Sequence, residues 1–327
     1  MSAVRRVQRT PGGTYFVCVP KSWAEQHELK RGSLVALDET ADGRLLIDPG
    51  YGSEPSPRTV ELKPGFLLSR ELIGAYLLGF DIIRVEAKER INFEVRDLVK
   101  KTVSRLIGLE IVEEDYSKIV LQCLMEPSGF PPDKILRRAY AIAAGMHRDV
   151  VNALVDGDVQ LARGVIARDD EGNRLYFLLV RILRTIIQNP GLSDKLGVGP
   201  IECLDYRLAS SLVEGIGDEC VRVAMKIIEM KGTKLDDDLK KLLLDYHTLC
   251  FEAHEKALRA FFASDIAIAE DVRATRGKMD KAFANIEKVV REQSLEMVPQ
   301  VLAVASFLRQ IYEHSVDIAD LVMPKKS

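Results

Sequence analysis

The chain of 327 residues lacks most of the features that assign a function by themselves. Its five cysteines, Cys18, Cys123, Cys203, Cys220 and Cys250, lie far apart, and none forms a CxxC. An odd, scattered set excludes a disulfide framework or a zinc ribbon and fits buried thiols in a reducing compartment. Long apolar runs are missing: stretches such as VLAVASFL are far too short to cross a bilayer. The N-terminus has no apolar segment of signal-peptide type, so a cytoplasmic protein without membrane insertion is expected. Net charge is only −3, which excludes a global pull toward nucleic acid or an anionic surface. No glycine-rich phosphate loop precedes a helix and no nucleophile–base motif stands out, so no enzymatic activity is expected.

What is present is a change of pattern along the chain. Residues 1–50 are short alternating runs broken by glycine, read as β-β-α-β-β, with proline opening the one short helix at KSWAEQHEL. Such a unit buries too little apolar surface to stand alone and calls for a partner chain. It also carries six basic residues against two acids up to Arg31, a local +4 on a near-neutral protein. Residues 51–57 read as a linker, and 58–126 as a small α+β domain of βαβαββ order with a hairpin across Tyr116-Ser117. After a second proline-rich link the period is helical, beginning with a stripe at Leu136, Ala139, Tyr140, Ala143, Met146, Val150 and Leu154.

The helical half matches itself. Aligning Asp158 with Asp265 places Leu161 on Ile268, Ala162 on Ala269, Val165 on Val272 and Asn173 on Asp280. Aligning Glu214 with Glu313 places Leu208 on Phe307, Leu212 on Ile311 and Asp218 on Asp317. Two copies of a three-helix bundle, 127–230 and 231–327, account for this order. In each copy a helix carries Glu-x-x-x-Asp, two acids one turn apart on one face. Di-iron chemistry of the ferritin type would want Glu-x-x-His, and none of His27, His147, His247, His254 or His314 has glutamate three residues before it.

The stretches SSLVEGIGDECVRVA and RQIYEHSVDIADLVM resemble the signature helices of the PhoU phosphate uptake regulators, and VIARDDEGNRLYFLLVRILR resembles the helix that precedes the first of them. The first fifty residues resemble the AbrB/SpoVT swapped-hairpin DNA-binding domain, and the combination resembles archaeal proteins that join the two. The fold implied is multidomain: a β-rich swapped-hairpin module, a small α+β domain, and an all-α pair of three-helix bundles. The PhoU resemblance implies divalent metal, iron, zinc or magnesium among others, at Asp169, Asn173, Glu214 and Asp218 in the first bundle and at Asp280, Glu313 and Asp317 in the second. Oxygen donors on two facing helices suit a hard cation or iron. Two positions depart from the pattern: Asn173 contributes no charge, and Arg276 cannot coordinate but can neutralise Glu313 or Asp317 as an ion pair. The AbrB resemblance implies a homodimer that presents Arg5, Arg6, Gln8, Arg9, Thr14 and Lys21 to a palindromic or pseudo-palindromic DNA site. The same charges also fit a solvated edge that resists aggregation. Two functions follow: a DNA-binding regulator of phosphate uptake, or an adaptor that docks on a phosphate transporter ATPase or a sensor kinase without touching DNA.

Overall fold

The computed structural model describes residues 4–39, 43–50, 57–230, 235–292, 294 and 297–324. All of the expected linker at 51–57 except Pro57, and the break at Lys231-Gly232, lie outside the described residues. Backbone contacts divide the chain into two units, Met1–Pro57 and Arg58–Ser327.

The first unit has the expected order: β1 (Gln8–Arg9), β2 (Tyr15–Phe16), α1 (Lys21–Gln26), β3 (Ala36–Glu39) and β4 (Leu45–Asp48). β1 and β2 pair antiparallel, as do β3 and β4. The turn at Thr10–Thr14 is closed by Thr14 N–H donating to Thr10 Oγ1 at 3.1 Å, with Gly13 at φ 95°. None of the unit's residues with described exposure is buried. Val4, Val7, Tyr15, Leu34, Leu37 and Leu45 are all more than 60% exposed, too much apolar surface for a unit of this size to leave in water.

In the second unit, β5 (Thr59–Leu62), α2 (Leu68–Leu77), β6 (Ile82–Glu86), α3 (Phe93–Val103), β7 (Leu109–Glu114) and β8 (Lys118–Cys123) follow the predicted βαβαββ order. The sheet runs β5-β6-β8-β7, with β5 parallel to β6 and the other pairings antiparallel. A helical crossover is what a parallel neighbour requires. Leu68, Leu72 and Tyr76 from α2 and Val99 from α3 pack on Ile83, Val85 and Leu121 of the sheet.

The helices follow: α4 (Pro132–Asp156), α5 (Val159–Gln188), α6 (Pro190–Leu196), α7 (Pro200–Glu229), α8 (Asp237–Ala263), α9 (Ile266–Ala274), α10 (Arg276–Val290) and α11 (Met297–Asp320). The predicted stripe of α4 is buried apart from Tyr140, which is half-buried. The second proline-rich link is a single 3-10 turn, Pro127–Gly129, and Pro132 then occupies the first turn of α4, where its missing N–H costs nothing.

The α+β domain is not free of the bundles. Arg181 of α5, 3% exposed, donates from Nη1 to the carbonyls of Tyr76 at 2.7 Å and Phe80 at 3.0 Å. Its Nη2 lies 3.6 Å from Asp81, and its guanidinium lies over the Tyr76 ring. Gly79, at φ 83°, completes this contact: a Cβ there would meet Arg58 Nη1 at 3.4 Å and Thr185 Oγ1 at 3.6 Å.

The duplication is visible in the caps. Gly157 and Ser264, equivalent under the sequence alignment, end α4 and α8 in the left-handed region. Asp158 and Asp265 then cap α5 and α9 with their carboxylates. The copies differ at Thr275, where the second copy's middle helix breaks into α9 and α10. The two bundles also meet at equivalent positions. His147 Nδ1 of α4 lies 3.0 Å from His254 Nε2 of α8, the two residues 107 apart, the offset of the aligned caps. Tyr140 Oη lies 2.9 Å from His254 Nδ1, and His247 Nδ1 lies 3.1 Å from His147 Nε2; Tyr140 and His247 are likewise equivalent. Exchange of the two copies maps this four-membered chain onto itself, the signature of a two-fold relation.

Burial holds all three imidazoles neutral: His254 is lowered to about 3, His247 to about 4, and His147 well below its ordinary value, the neighbouring imidazoles and Arg148 adding to the effect. The unfolded chain takes up these protons near pH 6.5, so stability is full above that pH and falls as the pH drops toward 4. The slope is on the order of 1 kcal/mol per histidine per pH unit. Urea unfolding of the whole chain at pH 7.5, 6.0 and 5.0 is expected to show this loss, and His147→Gln to flatten it. In a second test, Arg181→Met leaves two buried carbonyls without a donor and is expected to cost about 3 kcal/mol. Limited proteolysis should then release residues 58–126.

Candidate functional site

α5 and α7 pack against each other along much of their length, and small residues open a cavity between them. Gly172, Ser210 and Gly217 line it together with Asp169, Asn173 and Glu214. Its volume is about 20 Å3, room for one water-sized species. Asp169 and Asn173 are one turn apart on α5, and Asn173 Nδ2 donates to Asp169 Oδ2 at 2.8 Å, which leaves the Asn173 carbonyl oxygen free of that bond. Glu214 and Asp218 are one turn apart on α7 and half-buried. Burial, then the Asp218 charge, raises the carboxyl of Asp169; burial, then Asp218 and Asp169, raises that of Glu214, with Arg207 opposing. Acids with no ion pair among the described residues thus face one another across the cavity. Asp170 and Glu171, next to them on α5, are exposed.

The equivalent place in the second bundle is different. Arg276, which stands where Asp169 does in the first copy, donates to Glu313 through both terminal nitrogens, at 3.1 and 2.8 Å. Arg309, which stands where Ser210 does, bonds Asp280 at 2.7 Å and lies 3.9 Å from Glu313. Two guanidiniums therefore occupy the acid face. Burial raises Asp317, while His314 and Arg276 draw it down. The metal expectation at Asp280, Glu313 and Asp317 does not fit this arrangement: Asp280 and Glu313 are already neutralised, and arginine cannot be displaced into a ligand. In the first bundle the donors, three carboxylates and an amide oxygen, fit a hard cation in chemistry. Among the described residues no group of three His, Cys, Asp or Glu is already arranged to hold one.

Arg276 was legible as a neutralising partner. Arg309, at the position equivalent to Ser210, carries no such signal in the sequence. His314, equivalent to Gly215, packs on that glycine: a Cβ at 215 would stand 2.9 Å from His314 Nε2. Its Nδ1 is buried without a partner among the described residues, and both Asp317 and Asp218 act on the ring. In the N-terminal unit, Gln8 and Arg9 lie on β1, with Thr14 beside them in the same hairpin. Arg5 and Arg6 precede it, Lys21 begins α1, and all are exposed.

A duplicated three-helix bundle with an acid-bearing helix closing each copy defines the class. The chain matches the PhoU domain over residues 136–227 and 243–322, a little over half its length, and it belongs to that family. It is similar in fold to PhoU from Pseudomonas aeruginosa, with TM-score 0.53 and 21% identity, over 58% of this chain and 93% of that one. The phosphate transport system regulatory protein PhoU from Streptococcus pneumoniae aligns with TM-score 0.48 and 16% identity, over 58% of this chain and 91% of that one. No curated protein matches. No helix among the described residues is long and apolar enough to cross a membrane.

Asp218→Asn removes the charge felt by both raised carboxyls. Asp169 and Glu214 are then expected to titrate at lower pH, read from their side-chain carbonyl NMR shifts.

Proposed function

We propose that the chain regulates phosphate transport through protein contacts made by its helical half, with the N-terminal unit joining two copies. Proteins of the PhoU family are phosphate transport regulators. The observation that carries the reading is the duplicated bundle in which one acid face is open and its equivalent is filled by Arg276 and Arg309. One open face gives each chain a place whose charge can change. A divalent cation bound there by Asp169, Asn173, Glu214 and Asp218 would supply positive charge and hold α5 to α7. The partner is a phosphate transporter ATPase or a sensor kinase. Dimerisation is supported by the apolar side chains that the first unit leaves exposed.

A second reading, DNA binding by the first unit, is favoured by Arg5, Arg6 and Arg9, which are exposed and paired with no acid among the described residues. An AbrB-like interleaved dimer would place two copies of this edge side by side on a symmetric site.

Four measurements test these readings. Sedimentation of the whole chain is expected to give a dimer, and a concentration-independent monomer removes the joining role. Capture of the transporter ATPase by the wild type and equally by Arg5→Ala/Arg6→Ala/Arg9→Ala supports the adaptor. Retardation of phosphate-transport promoters at low salt, lost in that triple variant, supports DNA binding, with affinity falling steeply as salt rises. Magnesium, zinc or iron(II) is expected to raise the melting temperature of the wild type and not of Asp169→Asn/Asp218→Asn.

A further inference from the structure

We propose that the groove between the α+β domain and the first bundle binds a small soluble anion that carries an apolar body. The groove has a volume of about 590 Å3, within the size of small-molecule sites, and it lies where two folding layers meet, the usual place for one. Its floor is apolar, with Ile107 from the α+β domain, Phe130 from the connecting segment and Leu178 from α5. Its rim is basic: Lys134 and Arg138 stand one turn apart on α4, and Arg174 faces them from α5. Glu171 is the one acid of the lining, and none of the three cations is paired with an acid among the described residues.

Three unpaired cations around an apolar floor select by two criteria at once. The charge favours phosphate or carboxylate, which guanidinium groups grip through paired N–H donors. The floor gains only from an occupant with apolar surface to bury, so a bare inorganic ion satisfies the rim and leaves the floor wet. The walls are held before any ligand arrives. Arg181 fixes the α+β domain to α5, and Lys195 Nζ donates to Ser128 Oγ at 3.0 Å, tying the segment that carries Phe130 to α6. A site that does not have to order itself loses less on binding. Ile142 and Leu175 line both this groove and the acid cavity, so the occupant lies one side chain from Asp169 and Asn173. The inference does not rest on the phosphate-transport reading, since it uses neither the acid cavity's occupant nor the N-terminal unit.

Calorimetry on the whole chain tests it with two probes, adenosine monophosphate and hexyl phosphate, beside their halves adenosine, hexanol and inorganic phosphate. One of the two amphipathic phosphates is expected to bind about tenfold or more tighter than either of its halves. Which one does so tells a nucleotide-like occupant from an acyl-chain-like one. Arg138→Glu/Arg174→Glu, both at exposed positions, is expected to weaken that binding at least about tenfold with an unchanged circular dichroism spectrum. Methyl NMR shifts should centre on Ile107, Ile135 and Leu178. The proposal is overturned if neither probe binds below about 1 mM, if inorganic phosphate alone binds as well, if the charge reversal leaves affinity unchanged, or if the methyl shifts lie elsewhere.

Discussion

Residues equivalent under the internal repeat touch each other, and the helical half is built around that constraint. Tyr140, His254, His147 and His247 form one hydrogen-bonded chain from α4 to α8, and its central bond joins the equivalent pair His147 and His254. A neutral imidazole has one donor and one acceptor, so three in series are satisfied only when every member points the same way along the chain. A shift of either helix by one residue would break all three bonds and leave buried nitrogens unpaired, a cost far above that of a slipped apolar contact. The chain thus sets the register of two bundles whose apolar surfaces alone would allow several.

Once the register is fixed, the two acid faces are free to differ. The first keeps its carboxylates around a cavity lined by Gly172, Ser210 and Gly217. The second fills the same space with Arg276 and Arg309, each bonded to an acid that its own copy supplies. Duplication supplies two sites, and two arginine positions close one of them. The backbone still repeats at the caps, Gly157, Asp158, Ser264 and Asp265, and departs from the repeat at Thr275, beside Arg276.

The sequence made some of this readable and hid the rest for identifiable reasons. Apolar spacing of three and four marked α4, and matched acids revealed the repeat, because both are local patterns read along one helix. The break at Thr275 left no such mark, as neither glycine nor proline stands at it. That Arg276 neutralises Glu313 or Asp317 followed from the alignment, and the structure selects Glu313; Arg309 carries no such signal, because arginine on a helix face is ordinarily solvated. His147 and His254 share the repeat offset, yet each alone reads as an isolated helical histidine. The docking by Arg181 was hidden as well: its acceptors are main-chain carbonyls of Tyr76 and Phe80, which carry no side-chain signature. The N-terminal unit's element order was legible from its glycines, but what covers its apolar side chains is not written in one copy of the chain.

The missing side chain at Gly215 brings α11 so close that the His314 ring rests on the backbone of α7. That ring lies under the influence of Asp218 from one copy and Asp317 from the other. The two acid-bearing helices therefore bear on one and the same side chain. The charge state of that ring answers to both copies at once.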